Sequence, residues 1–185
     1  MLPHFGWINT VPDADAQVSF NIQGTDFDFT GIGYYEKNFI DQPLLDNLGS
    51  YYFGHGRLGP YSIVWFDART VATADAPEGT EWFSSYVSKD GEVLSSSCEA
   101  GSSVVARPWG GEDTYPPPKS DVNPDGFIVT FADVGGKVLT VNVTTVATPI
   151  PDADLFDRFL GTMVGGFADG SGNWTGVAQY EEFKV

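Results

Sequence analysis

Glu36, Lys37 and Asn38 interrupt an otherwise aromatic stretch, Gly31-Ile-Gly-Tyr-Tyr-Glu-Lys-Asn-Phe39. A charge among rings is costly to bury unless it is paired. Two readings stand. In one, one charge faces solvent and the other forms a structural ion pair with Asp67 or Arg57. In the other, these residues are a polar anchor in an apolar pocket, with Glu36 or Asp67 acting as general acid or base. His55 lies in Ser50-Tyr-Tyr-Phe-Gly-His-Gly-Arg57, where alternation puts Tyr51, Phe53 and His55 on one face. It is either a packed histidine bonded to backbone or a donor to a ligand carbonyl. Taken singly, Tyr34, Tyr35, Tyr52, Trp65, Trp82 and Tyr86 read as core. Together they exceed what a small core needs, and an aromatic-lined cavity is the expectation.

The elements that must position them read as strands. Gln17 to Gln23 alternates, with Val18, Phe20 and Ile22 on one face. Gly24-Thr25-Asp26 turns the chain into a second strand, in which Gly31 and Gly33 suggest a bulge or a close backbone approach. A loop or single helical turn covers Ile40 to Gly49. Strands follow at Ser50 to Arg57 and Tyr61 to Arg69, joined by Leu58-Gly-Pro60. Thr80 to Ser88 and Glu92 to Cys98 form a hairpin across Asp90-Gly91, a strong turn signal. Ser103 to Arg107, Gly126 to Asp133, Lys137 to Ala147, Phe156 to Phe167 and Trp174 to Phe183 complete the series. The sum is an all-β chain of about ten strands mostly joined by hairpins, an antiparallel barrel or sandwich.

Residues 1–15 read as an extended, linker-like lead-in, and 16–185 as the β domain. Pro12-Asp-Ala-Asp15 and Pro151-Asp-Ala-Asp154 echo one another before a strand and read as turn chemistry.

The 185 residues carry a net charge of −16, which argues against nucleic acid and anionic membranes as partners. No apolar run is long enough to span a bilayer as a helix. Cys98 stands alone, which rules out a disulfide within the chain and fits a reducing compartment. Met1-Leu2-Pro3-His4 has no basic region followed by an apolar run, so no signal peptide is read and a cytoplasmic location is expected. His4 and His55 are far apart, no Cys/His cluster exists, and the Asp13/Asp15 and Asp152/Asp154 pairs lack calcium-loop spacing. Neither a metal nor a cofactor is expected; phosphate-loop, dinucleotide and nucleophile-elbow motifs are missing.

One run is long and specific: Tyr52-Phe-Gly-His-Gly-Arg-Leu-Gly-Pro-Tyr-Ser-Ile-Val-Trp-Phe-Asp67. With Phe5-Gly-Trp-Ile8, Phe29-Thr-Gly-Ile-Gly-Tyr34, Lys37-Asn38 and the ending Gly172 to Phe183 with its Tyr180-Glu181, it resembles the carboxy-terminal domain of a fungal family related to hydroxyneurosporene synthase. That family includes lipocalin-like Diels–Alderases acting on polyketide polyenes. Two departures stand out. Relatives usually carry His-Asp-Lys-Asn-Trp where this chain has Tyr35-Glu-Lys-Asn-Phe39, so a role for that histidine does not carry over. Relatives also have two β domains with a pocket between them, and this chain matches the second.

The resemblance implies a lipocalin-like domain that folds a hydrophobic polyene for intramolecular cycloaddition, by proximity and by a hydrogen bond to the dienophile carbonyl. It also implies a pocket completed by an amino-terminal β domain or by self-association. On these expectations Glu36, Lys37, Asn38, His55 and Asp67 are the candidate catalytic residues. Tyr34, Tyr52, Phe53, Trp65, Trp82 and Tyr86 are the candidate substrate-binding residues. The alternatives are a hydratase, dehydratase or isomerase on the same scaffold, and a non-catalytic binder of hydrophobic ligands.

Overall fold

A computed structural model describes residues 2–151 and 155–184. Its eleven strands are all antiparallel to their neighbours, with one short 3-10 turn at Leu44–Asp46. Strands β1 (Phe5–Ile22) and β2 (Thr25–Ile40) form a long two-stranded ribbon. The other nine form one sheet: β3 (Leu48–Leu58), β4 (Tyr61–Thr70), β5 (Glu81–Lys89), β6 (Glu92–Ser97), β7 (Val104–Gly111), β8 (Pro124–Phe131), β9 (Leu139–Ile150), β10 (Phe156–Phe167) and β11 (Trp174–Lys184). Their spatial order is β6-β5-β4-β3-β11-β10-β9-β8-β7. Among the described residues, no helix is long and apolar enough to cross a membrane.

The sheet curls until its far strand, β7, meets β4. There Asp67 Oδ2 accepts the Ala106 N–H at 2.9 Å and an Arg107 N–H at 2.7 Å. Ser103 adds bonds to Ser85 Oγ at 3.1 Å and to Ser97 O at 2.8 Å. Of the antiparallel barrel or sandwich expected from the sequence, the structure takes the form of a half-barrel clasped by side chains. The clasp does for the edges what ladder pairing does in a closed barrel.

Strand β4 explains why the molecule has two apolar layers. Ile63-Val-Trp-Phe66 is apolar at every position, and nearly all of the strand is buried. Such a run fits a strand covered on both faces. Trp65 and Ile63 face the interior, with Tyr52, Phe127, Phe159 and Tyr180. Val64 and Phe66 face outward and meet Leu48, Phe53 and Phe183, with Phe5, Trp7 and Tyr34 of the ribbon against them. Gly54 pairs with Trp65 across β3 and β4, and a side chain there would run into the indole. The glycine lets Trp65 lie flat on the backbone.

The ribbon corrects the sequence reading of the amino terminus. Strand β1 begins at Phe5, so residues 5–15 are strand and not lead-in. The pairing slips between Asn9 and Val11 and between Val11 and Ala14. Pro12 and Asp13 fall in the second slip, where a proline costs no ladder bond. The first Pro-Asp-Ala-Asp echo is therefore a bulge within β1; residues 152–154 of the second lie outside the described residues. The irregularity expected at Gly33 is on its partner strand, and Ala14 and Ala16 press against Gly33. The hairpin tips at Gln23-Gly24 and Asp90-Gly91 have positive φ throughout, the geometry of a two-residue turn.

Candidate functional site

Alternation in β3 divides the candidate residues between the two faces of the sheet. Tyr51, Phe53 and His55 point outward, as expected, toward the ribbon. Tyr52 points inward and shares the interior with Trp65 and Asp67. Tyr52 and Trp65, expected to bind substrate, are core residues, 2% and 1% exposed. Asp67, expected to be catalytic, is the buried half of the β4–β7 clasp. Burial pushes its carboxyl up to about 6, against the pull of the Ala106 N–H and Arg107. Trp82 and Tyr86 lie on the outer layer, half-buried beside Phe66 and Val64.

The outward residues meet a polar network hung from the ribbon. Alternation sends Tyr34, Glu36 and Asn38 to the same side of β2. Glu36 Oε2 accepts the Trp7 indole N–H and lies 2.8 Å from Tyr34 Oη. Asn38 reaches Glu36 Oε1 at 3.4 Å. Tyr34 Oη is also 2.6 Å from Asn9 Oδ1, so one phenol proton serves a carboxylate and an amide in turn. Lys37 points the other way, exposed, with its ammonium 5.6 Å from the Phe39 ring centre. Neither structural ion pair considered for Glu36 and Lys37 forms. Arg57 binds Asp13 and Asp15 at 2.8 Å each and ties the ribbon to the sheet.

Facing Glu36 across the aromatic floor is a second carboxylate, Glu181 of β11. It is 6% exposed. Tyr51 Oη donates to its Oε2 at 3.2 Å, and Arg158 of β10 donates to its Oε1 at 2.8 and 2.5 Å. Burial raises the Glu181 carboxyl above the usual range; Arg158 and Tyr51 oppose this, and the Glu36 charge adds to it. Both glutamates line one small cavity of about 80 Å³, with Trp7, Tyr51, Phe53 and Phe66. Two carboxylates in one apolar pocket, one of them raised by burial, are the equipment of general acid–base catalysis.

His55 opens onto a larger groove of about 420 Å³, walled by Ile32, Val146, Leu160 and Val177. Its ring stacks on Tyr34, centroids 4.0 Å apart and planes within 13°. Burial lowers the imidazole to about 4, so it is neutral at pH 7 and keeps one N–H to donate.

The structure thus brings together Tyr34, Glu36, Asn38, Phe53 and His55 from the sequence candidates. It sets apart Lys37, Tyr52, Trp65 and Asp67. Glu181, Arg158, Tyr51 and Trp7 were not singled out as site residues. The available signal for Glu181 was a carboxylate alternating with Gln179 and Phe183 in an otherwise strand-like ending.

No family model matches the chain. In sequence it is similar to the quinolone epoxide rearrangement protein penF of Penicillium thymicola, with 38% identity over 173 residues, 94% of this chain and 45% of that protein. It is also similar to the quinolone epoxide rearrangement protein asqO of Emericella nidulans, with 34% identity over 184 residues, 100% of this chain and 48% of that protein. The chain spans about half the length of these curated relatives. In fold it matches CghA, solved with Sch210972, at a TM-score of 0.75 and 12% identity, over 99% of this chain and 55% of that one. Kievitone hydratase from Nectria haematococca matches at a TM-score of 0.61 and 12% identity, over 98% of this chain and 53% of that one. The structural matches establish the lipocalin-like all-β architecture.

Proposed function

We propose that this chain carries the acid–base half of an isomerase that rearranges an oxygenated, hydrophobic ring compound, an epoxide on a quinolone-type skeleton. The observation that carries this reading is the pair Glu36 and Glu181 lining one aromatic cavity. The two curated relatives, named for quinolone epoxide rearrangement, supply the substrate class.

In this reading the Glu181 carboxyl gives its proton to the epoxide oxygen. One C–O bond breaks, and its electron pair stays with oxygen as a hydroxyl. A neighbouring group shifts to the carbon left electron-poor, and the carbon bearing the hydroxyl becomes a carbonyl. The hydroxyl proton passes to Glu36. Atoms and charge balance, and the product is an isomer of the substrate. Arg158 steadies the Glu181 carboxylate left behind. The rings of Trp7, Tyr51 and Phe53 keep water from the cationic centre.

The second reading is an intramolecular Diels–Alder cycloaddition. It is favoured by the apolar groove at His55, where a neutral imidazole could bond a dienophile carbonyl and the walls could fold a polyene. In both readings the substrate is a hydrophobic small molecule held on an open face. A second β domain, or a second copy of this chain, completes the pocket.

The test is to give the intact protein an aryl-quinolone epoxide and, separately, a linear polyene bearing a dienophile. Faster isomerisation of the epoxide supports the acid–base reading. Acceleration of the polyene's cyclisation alone supports the second.

A further inference from the structure

Gln179 of β11 sits directly opposite His55 of β3 in the ladder, so the two side chains leave the sheet side by side on its outer face. Both line the groove. Neither side chain hydrogen-bonds another described residue, although each is half-buried. Apart from Thr162, everything else on the groove wall is apolar or small. Ile32, Val146, Leu160 and Val177 are 38–69% exposed, an uncovered apolar surface. A polar pair held at the bottom of such a surface is the usual anatomy of a small-molecule subsite: apolar walls for area, few polar groups for orientation.

The pair has a specific complement. A primary amide offers one donor and one acceptor on a single edge. A cyclic secondary amide, a lactam, has its N–H and C=O on one edge in the opposite order. The two meet through paired hydrogen bonds, and a neutral imidazole beside them adds a donor to the second lone pair of the carbonyl. We infer that the groove is a lactam-reading subsite, in which Gln179 and His55 bind the amide edge of a flat bicyclic ring lying on the apolar wall.

The inference rests on the reading of this outer face as the substrate face, and it deepens it. Gln179 and Glu181 are two residues apart on one face of β11, which separates them by roughly 7 Å at ~3.3 Å per residue. A ring fixed by its lactam at Gln179 therefore extends along the strand toward the carboxylate pocket. Tyr34 links the two compartments, stacked on His55 of the groove and bonded to Glu36 of the cavity.

The experiment is a binding comparison by tryptophan fluorescence, using the intact protein and two probes, quinolin-2(1H)-one and its N-methyl derivative. The unmethylated lactam is expected to bind about tenfold more tightly, the weight of one hydrogen bond in a partly desolvated site. Gln179→Leu is expected to bring the two probes within about twofold of each other, with the N-methyl affinity little changed. Gln179→Met, of similar length, repeats the test should the leucine variant lose its unfolding transition. Equal binding of both probes by the unaltered protein, no binding of either, or a tenfold preference that survives in both variants would overturn the inference. No turnover is read, so failure here counts against the lactam subsite alone. Failure of the glutamate variants in a turnover assay counts against the acid–base reading.

Discussion

Tyr34 of the ribbon lies flat on His55 of the sheet, with ring centroids 4.0 Å apart. Its hydroxyl meanwhile reaches Glu36 at 2.8 Å. One side chain therefore fixes the ribbon on the sheet, keeps the histidine out of water and orients a carboxylate. Tyr34→Phe keeps the stack and removes the hydroxyl; it is expected to cost about 1 kcal/mol of stability. Tyr34→Ala also loses the ring contacts with His55 and Phe53, and roughly 2–3 kcal/mol is expected. Urea unfolding of both variants measures the difference. Equal losses would mean that the stack contributes nothing.

The burial of His55 has a sign that can be checked. Its folded value is lowered from 6.5 to about 4, so between these values the unfolded chain binds more protons. Stability contributed by the neutral ring is fully present above pH 6.5 and is lost as the pH falls toward 4. Asp67 and Glu182, raised to about 6 and about 7, act in the opposite direction, so the wild-type curve alone is ambiguous. The informative quantity is the difference between wild type and His55→Phe. Thermal unfolding from pH 7 to pH 4 is expected to show the wild type losing stability faster than the variant. Parallel curves would place His55 in water.

Arg158 opposes the burial that raises the Glu181 carboxyl. Arg158→Met removes that opposition, so the Glu181 carboxyl should titrate at a higher pH. A rate that needs protonated Glu181 falls as pH rises through this value. The high-pH limb of kcat/KM is therefore expected to move to higher pH in the variant. An unmoved limb would assign it to another group.

At the clasp, Asp67→Ala would strand the buried Ala106 N–H and leave Arg107 with Glu81 alone among its carboxylate partners. A loss of roughly 3 kcal/mol is expected, measured by chemical denaturation. The outer-face cavities lie on the other side of the sheet, so probe binding in the groove should persist at temperatures where the variant stays folded. Loss of binding by a folded variant would couple the two faces.

Much of this was legible in the sequence, for local reasons. Hairpin turns such as Asp90-Gly91 carry their own chemistry, and the alternation Tyr51, Phe53, His55 follows from the pleat. The start of β1 was hidden because Pro12-Asp-Ala-Asp15 reads as turn chemistry, yet a bulge in a two-stranded ribbon tolerates proline. The side on which Tyr52, Trp65 and Asp67 fall was hidden because Ile63 to Phe66 is apolar on both faces, so the pattern does not mark the face that bears the site. Glu181 was hidden by distance. Tyr51, its phenol partner, is 130 residues away in the chain, and only the β3–β11 pairing brings them together. Non-local pairing of this kind leaves no periodic trace.

The most direct measurement is the rate of epoxide isomerisation by the intact protein beside Glu181→Gln and Glu36→Gln, each verified to be folded. Glutamine keeps the shape of either side chain and removes its ability to exchange a proton. The expected result is a fall of about 10²- to 10⁴-fold in kcat for Glu181→Gln, a comparable fall for Glu36→Gln, and little change in substrate affinity. Rates within about twofold of wild type in both variants would contradict the acid–base role of the pair, since removal of a working proton donor costs at least about a hundredfold.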